Sequence, residues 1–403
     1  MSPNFDGTRI SCIFLPDEII AEVLSFLPVK SLMQLRSVCK SWKTLISDST
    51  FVKLHLKRST RSKHLALFSI PYRHSTNFRV ARLPLLRLPG ETRVTLTANS
   101  NFQLTDAYGF LCPVGSYNGL ICLEGRFLTN NYDEIFLYLW NPATMTLSNK
   151  IEFYREFHQQ EGNFQYKWKF SFGYDSSTDT YKIVAFHLMT NEVKVLSFGD
   201  NVWKNIQCLP MVPTYCAPRF YKHVGNKHGL YVCGTLNWLA IQNKFQYDYQ
   251  IDWKLITIGQ FMIISLDLST ETYRHLMAPQ GFDIVPCVQP TLVVLMDSLC
   301  FYHDFHGTGF IIWQMMEFGV EESWTQFLKI SFQSLPLVPN HRRLCLFPVC
   351  LSENGDTLIL ACGQRKQAIL YNLRDNIVEK TRITNEIEWF FSKDYVESLV
   401  SVS

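Results

Sequence analysis

Residues 13–56 decide how the rest of the chain is understood, and they read IFLPDEIIAEVLSFLPVKSLMQLRSVCKSWKTLISDSTFVKLHL. Apolar residues recur in this segment at steps of one, three and four, which places them on one side of an α-helix. The first half contains Leu15, Ile19, Ile20, Val23, Leu24 and Leu27, and the second contains Leu32, Leu35, Val38, Cys39, Trp42, Leu45, Ile46, Phe51, Leu54 and Leu56. The pattern predicts three short helices.

Residues with known positional preferences suggest where these helices begin and end. Pro28 is expected to close the first helix, because proline has no N–H for the helical ladder. Ser31 with Gln34 has the spacing of a capping box and predicts the start of the second helix. Asp48 or Ser49 is expected to cap the last helix, since short oxygen-bearing side chains accept the unpaired N–H groups of a first turn.

The helices carry more apolar surface than they can bury among themselves. Segments of about 45 residues are marginally stable alone, because so short a chain encloses little volume. Part of the apolar surface is therefore expected to face a partner, in the manner of a helix in a groove. The alternative is that the helices only cap the domain that follows them.

Four motifs in this segment resemble an F-box, and in particular the F-boxes of plant proteins. They are LPDE at 15–18, LSFLPVKSL at 24–32, RSVCKSW at 36–42 and the pair Leu45-Ile46, in order and without gaps over residues 13–57. The resemblance implies binding to an SKP-type adaptor. That adaptor joins an F-box protein to a cullin scaffold and a RING protein in an SCF-type ubiquitin ligase.

The resemblance also implies which residues bind the adaptor. Carried over by position, the residues that make or support that interface are Leu15, Pro16, Ile20, Leu24, Leu27, Pro28, Leu32, Val38 and Trp42. Leu35, Cys39 and Leu45 are expected instead to hold the helices together.

Beyond the helical module the periodicity of the sequence changes, and this change marks a domain boundary. Residues 1–12 have no periodicity and are expected to form a flexible N-terminus. Residues 58–64 are expected to form a basic linker. Residues 65–403 contain short runs rich in Val, Ile, Phe, Tyr and Trp, broken by Gly, Asn, Asp and Pro. The sequence predicts an α+β chain, with a small three-helix module followed by a large all-β domain.

The β-rich part repeats a unit of three or four short strands at intervals of about 50–60 residues, which is typical of a β-propeller. Predicted turns at Asn141, Asp200, Asp267, Phe318 and Asn372 mark the repeats. We expect six blades, with seven as the next choice. The segment Tyr395–Val400 is expected to pair with the first blade and close the ring. One or two irregular β-sandwiches are the alternative.

Six motifs of the β-rich part resemble the F-box-associated, kelch-type interaction domain of plant F-box proteins. They are SYNGL at 116–120, LWNP at 139–142, FGYD at 172–175, GTLNWL at 234–239, ISLD at 264–267 and YVESL at 395–399. The chain has neither the Gly-Gly pair of true kelch repeats nor a Trp-Asp dipeptide. The resemblance implies that residues 65–403 bind a target protein.

Composition and motif searches argue against several other classes of function. A net charge of +3 is too small to indicate nucleic-acid or membrane binding, and no run reaches the roughly 18 apolar residues that span a bilayer. Twelve dispersed cysteines favour free thiols in the nucleus or cytoplasm. The chain has no phosphate-binding loop, nucleophile elbow or HExxH motif.

The remaining candidates for chemistry have simpler explanations. His303 and His306 are three residues apart, but a surface turn is a better interpretation than a metal site. Glu321 and Glu322 are expected to be solvated on a hairpin, because an acid–base pair needs carboxylates opposed across a pocket. We therefore predict no catalytic residue, no metal site and no cofactor, and a protein that is not an enzyme.

The sequence predicts a substrate-recognition subunit of an SCF-type ubiquitin ligase, with an unknown protein as its substrate. The alternatives are an adaptor-bound scaffold that delivers nothing for degradation and a β-propeller that binds a small ligand. Three loops are candidates for the recognition surface: 153–168, 213–228 and 242–254.

Overall fold

The computed structural model describes residues 15–59, 63–69, 79–84, 110–128, 132–157, 168–211, 213, 228–242, 253–282, 284–335, 346–352, 354–362, 367–380 and 392–402. Within these parts, four helices precede the strands. They are α1 (Asp17–Leu24), α2 (Val29–Leu35), α3 (Lys40–Ser47) and α4 (Ser49–Ser59). None of these described helices has the length and apolarity needed to cross a membrane. Most of each proposed recognition loop lies outside the described residues.

The module has four helices where three were predicted. The expected second helix is interrupted between α2 and α3, because the backbone of Cys39 is extended (φ −155°, ψ 165°). The Cys39 Sγ accepts a hydrogen bond from the Trp42 N–H at 3.5 Å and so caps α3. The capping box predicted at Ser31 is wrong as well, since α2 begins at Val29 and its N-cap is Pro28.

The predicted cap of the last helix is confirmed at Asp48. Its Oδ1 accepts hydrogen bonds from the N–H groups of Thr50 at 2.8 Å and Phe51 at 3.2 Å. These bonds hold the pKa of the Asp48 carboxyl below its usual range. Helix α4 ends at Ser59 and the first strand begins at Lys63, so both elements extend into the segment expected to be a linker.

The strands of the described residues form six antiparallel sheets arranged as a β-propeller. The first sheet contains β1 (Lys63–Ser69), β2 (Arg79–Pro84) and β24 (Lys393–Val396). The second contains β3 (Phe110–Tyr117), β4 (Leu120–Leu128), β5 (Tyr132–Asn141), β6 (Thr146–Leu147) and β7 (Ile151–Phe157). The third contains β8 (Trp168–Asp175), β9 (Thr180–His187), β10 (Val193–Ser197) and β11 (Trp203–Ile206).

The remaining three sheets each have four strands in chain order. The fourth contains β12 (Leu230–Val232), β13 (Thr235–Ile241), β14 (Phe261–Asp267) and β15 (Tyr273–Met277). The fifth contains β16 (Thr291–Leu295), β17 (Ser298–Phe305), β18 (Gly309–Met315) and β19 (Trp324–Ser331). The sixth contains β20 (Leu346–Leu351), β21 (Thr357–Cys362), β22 (Gln367–Asn372) and β23 (Val378–Lys380).

Among the described residues, five sheets are complete blades, which is fewer than the six or seven that were predicted. The first sheet has three described strands. It nevertheless closes the ring, because β24 pairs antiparallel with β1, with Lys63 opposite Val396, and also packs against β3. The predicted closure of the ring by the C-terminal strand is therefore confirmed.

Three of the five predicted turn markers use the same hydrogen-bond device. The side-chain Oδ1 of Asn141, Asp267 or Asn372 accepts the N–H groups two and three residues further on, at 2.8 to 3.2 Å. Such turns compensate locally for backbone groups that the hairpin leaves unpaired. The other two markers lie between β10 and β11 and between β18 and β19, and no bond of this kind is present at either among the described contacts.

Strands β3, β8, β12 and β24 contact one another between sheets, and we call them the inner strands. Their common direction gives the ring two distinct faces. Tyr117 at the end of β3 lies 5.4 Å from Tyr174 near the end of β8 and 4.4 Å from Tyr231 in β12, measured between ring centroids. Strand β24 ends on the same side, since Ser398 lies against Gly119. We call this side the module face, and the side where β3, β8 and β24 begin the far face.

The helical module is joined to the module face through the C-terminal segment, residues 397–402. The Val29 N–H donates to the Glu397 carboxylate at 3.3 Å, and Leu399 packs against the apolar core of the module. An exposed ion pair of 2.6 Å between Lys53 and Asp179 adds a contact to the third sheet. Surface ion pairs of this kind contribute little, so the C-terminal segment is the principal joint.

The same segment is fixed to the second sheet by a buried side chain. The Asn141 Nδ2 donates to the carbonyl oxygens of Ser398 at 3.0 Å and Val400 at 2.9 Å. Val400 and Val402 pack against the apolar core between the second and third sheets. The C-terminal segment thus connects the module to the ring on both of its sides.

Replacing Gly119 with alanine is expected to destabilise this joint strongly. Gly119 has a φ of +82°, and an added Cβ would lie against the Ser398 side chain and 2.7 Å from the Val396 carbonyl oxygen. Gly234 is the matched control, since its φ is +76° and nothing lies within 4 Å of its Cβ position. We expect Gly234→Ala to cost about 1 kcal/mol from its backbone conformation alone.

Denaturant unfolding of the two variants measures the difference. Gly119→Ala should cost at least about 2 kcal/mol more than Gly234→Ala, because overpacking adds to the backbone term. Equal losses would show that the close approach of the C-terminal segment is unimportant.

Candidate partner-docking surface

The helical module has a small apolar core of its own. Leu24, Leu32, Ile46 and Phe51 are buried in it. The residues that pack against this core from its edges are Ile20, Ala21, Leu27, Leu35, Trp42, Leu45 and Leu399. The module therefore has one inward-facing apolar side, which includes one residue of the C-terminal segment.

A second set of apolar side chains points outward from the same module. Leu15, Ile19, Val23, Phe26 and Val38 are between 48% and 67% exposed. The first four follow one another at steps of four, four and three, so they form one side of α1 and its flanks. We call these first four residues the exposed stripe, and Val38 lies after the end of α2. Contiguous exposed apolar surface of this kind marks an interaction site on a folded protein.

The nine residues predicted to bind the adaptor fall into three groups. Leu15, Pro16, Pro28 and Val38 are exposed, and Ile20, Leu27 and Trp42 are partly buried. Leu24 and Leu32 are buried in the module core, from which they can support an interface but not touch a partner. Their roles in adaptor binding stay predictions.

The residues expected to hold the helices together are only partly in the core. Leu35 and Leu45 pack against the core as expected. Cys39 is exposed, and its contribution is the cap on α3 rather than packing.

Sequence reasoning missed Ile19, Val23 and Phe26 as candidate contacts. Helical spacing alone identifies an apolar helix, but Ile19 and Ile20, or Val23 and Leu24, are adjacent and equally apolar. Only packing shows which member of each pair faces inward. A helix with apolar residues on two sides was the available signal that one side would be left for a partner.

Arg58 holds Phe26 and the end of α1 against α4. Its guanidinium lies 3.9 Å from the centroid of the Phe26 ring and donates to the Glu22 carbonyl oxygen at 2.7 Å. It also bonds to the Glu22 carboxylate and the Ser25 hydroxyl. Charge-assisted bonds of this kind are stronger than neutral ones, so the outward position of Phe26 is well supported.

Outside the module, the described residues contain no group of three side chains suited to a metal ion. His306 lies exposed on the turn after β17, as predicted. His303 does not, since it is buried in β17, where its Nε2 accepts a bond from the Trp313 indole at 3.1 Å. Glu321 is not merely solvated, since its carboxylate accepts the Met277 N–H at 2.8 Å. His303 and Glu321 thus both have structural partners.

These features define a class of protein: a two-part interaction protein, with a helical docking module fixed to a β-propeller. The chain matches the F-box domain over residues 14–54 and the F-box associated beta propeller domain over residues 56–400. It therefore belongs to the family of F-box proteins that carry an F-box-associated β-propeller.

Relatives in Arabidopsis thaliana are similar over most of the chain. The F-box/kelch-repeat protein At3g23880 is 28% identical, covering 78% of this chain and 79% of the relative. The F-box/LRR-repeat/kelch-repeat protein At2g27520 is 22% identical, covering 96% and 97%. Among solved structures, a chain of the nidogen/laminin complex has a TM-score of 0.42 and 9% identity over 83% of this chain and 99% of that one. A similarity that low supports no argument.

Removing the Arg58 guanidinium is expected to loosen the F-box. Arg58→Met should cost about 1.5 kcal/mol, because hydrogen bonds from a charged donor to three acceptors near Phe26 are lost. Arg374→Met is the control, since Arg374 forms an ion pair with Asp356 at 2.7 Å and is 73% exposed. The control should change stability by less than about 0.5 kcal/mol. Denaturant unfolding followed by circular dichroism compares them, and equal effects would contradict the role of Arg58.

Proposed function

We propose that the protein is the substrate-recognition subunit of an SCF-type ubiquitin ligase. The exposed stripe on a module that belongs to the F-box family carries this proposal. In the proposed complex, Leu15, Ile19, Val23 and Phe26 insert into an apolar groove of an SKP-type adaptor. The adaptor then connects the chain to a cullin and a RING protein, while the propeller binds a target protein.

The exposed stripe suits this role energetically. Its side chains are between 48% and 67% exposed, so each has apolar area to remove from water at about 25 cal/mol per Å². Arg58 and Asp48 hold α1 and α4 in place before binding. A preorganised surface of this type loses less entropy when it docks.

No chemistry by this chain is required in the proposed role. A receptor that holds a target near a charged conjugating enzyme raises the effective concentration of the target's lysines, which accelerates transfer without a catalytic group of its own. Free cysteines such as Cys112, Cys122 and Cys300 support the proposal that the protein works in the reducing nucleus or cytoplasm.

Substitutions on the two sides of α1 test adaptor binding separately from folding. Val23→Asp places a charge in the exposed stripe and should reduce co-purification with an SKP-type adaptor at least about tenfold, because the carboxylate would have to be desolvated. Its unfolding midpoint should stay near that of the wild type, since Val23 is 60% exposed. Leu255→Asp on the propeller is the control, because Leu255 is 70% exposed and distant in sequence from the module.

Substitution of the neighbouring residue, Leu24, should change stability, which Val23→Asp leaves unchanged. Leu24→Ala should destabilise the module by about 2–5 kcal/mol, since it leaves a cavity beside Leu32.

Adaptor binding that persists in Val23→Asp would contradict the proposed docking surface. Joint replacement of Leu15 and Pro16 by alanine tests the predicted edge of that surface in the same assay.

Delivery of a target for degradation needs a second measurement. The abundance of proteins captured by the propeller should rise in cells when the chain carries Val23→Asp. The propeller still captures them, but the chain no longer recruits the rest of the ligase. Unchanged abundance with intact capture would favour the adaptor-bound scaffold instead.

A further inference from the structure

Helix α2 of the F-box begins without a cap from its own part of the chain. Its N-cap residue is Pro28, from which no side-chain hydrogen bond reaches the helix. The first N–H groups of an α-helix have no partner within the helix, and a buried N–H group needs an acceptor from elsewhere. Val29 is the first residue of α2 and is fully buried. Its N–H group therefore depends on an acceptor outside the helix.

The propeller supplies that acceptor. The Glu397 carboxylate accepts the Val29 N–H at 3.3 Å through one oxygen, and its other oxygen lies 4.0 Å from Nε2 of His64. Glu397 directly follows β24, which ends at Val396, and His64 belongs to β1, with which β24 pairs. The side chain of Glu397 is only 25% exposed, so water weakens its bond less than on an open surface. Glu397 thus connects the start of α2 to the strands that close the ring.

The peptide group on the other side of Pro28 is fixed by α4. The Leu27 carbonyl oxygen lies 3.0 Å from Nε2 of His55, and this nitrogen carries the proton because a carbonyl oxygen can only accept. His55 is buried, and burial lowers the pKa of its imidazole, which favours the neutral ring. Pro28 therefore lies between two held groups, one bound to the module and one bound to the propeller.

These two bonds flank residues that are predicted to bind the adaptor. Leu27 and Pro28 are two of those nine residues, and Pro28 is exposed. Helix α2 has only seven residues, and so short a helix is marginal without contacts from its surroundings. If the Val29 N–H lost its acceptor, the segment containing Pro28 would adopt other arrangements more often. The apparent affinity for a partner falls with the fraction of the chain in the binding-competent arrangement.

We propose that Glu397 is a positioning residue for adaptor binding. From the propeller, it holds the Pro28–Val29 peptide group in the arrangement that the adaptor recognises. This inference rests on the proposed function for the identity of the partner. Because coupling between two sites is reciprocal, the bound adaptor in turn stabilises the contact between Glu397 and α2, and with it the strand that closes the ring.

Substitution of Glu397 in the full chain tests the positioning role by the affinity for an isolated SKP-type adaptor. Glu397→Met removes the acceptor at similar side-chain length and should weaken binding at least about threefold. Glu397→Gln keeps a carbonyl oxygen for the Val29 N–H and should retain most of the affinity. Glu379→Met is the matched control and should bind like the wild type, since Glu379 is exposed on β23 of the sixth sheet.

Hydrogen exchange in the free chain shows whether Glu397 acts on α2. The amides of residues 29–35 should exchange faster in Glu397→Met than in the wild type, Glu397→Gln or Glu379→Met, because α2 opens more often. The amides of β13 and β14 in the fourth sheet should exchange at the wild-type rate. Uniform acceleration in all of these elements would show a merely structural residue and would overturn the proposal.

Adaptor binding provides the reciprocal measurement. In the wild type, the adaptor should slow exchange in residues 393–400, which it is not proposed to touch, and Glu397→Met should lose this protection. Absence of that protection in the wild type would overturn the proposal even if Glu397→Met does not fold. Equal affinities of Glu397→Met and the wild type, or a Glu397→Gln variant as weak as Glu397→Met, would overturn it too. If the wild type binds no SKP-type adaptor, the proposed function fails, whereas exchange of α2 in the free chain still tests the role of Glu397.

Discussion

The buried bonds from Asn141 to Ser398 and Val400 are the constraint on which the arrangement of the two domains depends. They fix the C-terminal segment on the module face at 3.0 and 2.9 Å. Leu399 then completes the core of the F-box, and Glu397 accepts the Val29 N–H. Because an unpaired buried amide is costly, this contact is directional as well as favourable. The F-box is therefore held by the same residues that follow the closing strand of the ring.

This arrangement explains how so small a module keeps apolar side chains on two of its sides. Leu24, Leu32 and Ile46 provide an inward side that the C-terminal segment helps to cover. The exposed stripe faces water because the C-terminal segment packs against the opposite, inward side of the module. A free segment of this length would collapse onto its own apolar residues, so the propeller helps to keep the exposed stripe in place.

Much of this architecture could be predicted from local sequence, and the rest depended on distant contacts. The cap at Asp48, the turns at Asn141 and Asp267 and the closing strand follow from neighbouring residues. The break at Cys39, the number of complete blades and the inward choice between Ile19 and Ile20 depend on packing. The bond from Arg126 to the Trp168 carbonyl oxygen could not be predicted, because the two residues come from separate sheets that meet only in the folded ring. The adaptor-binding residues and the localisation remain predictions.

The connection between the two domains is short, since α4 ends at Ser59 and β1 begins at Lys63. The two domains therefore have little freedom to move relative to each other. In the proposed ligase, the receptor would then hold its target in a fixed orientation relative to the F-box. The lysines that can accept ubiquitin would be selected by the orientation of the target on the propeller. Two targets held by the propeller in different orientations would carry the modification at different positions.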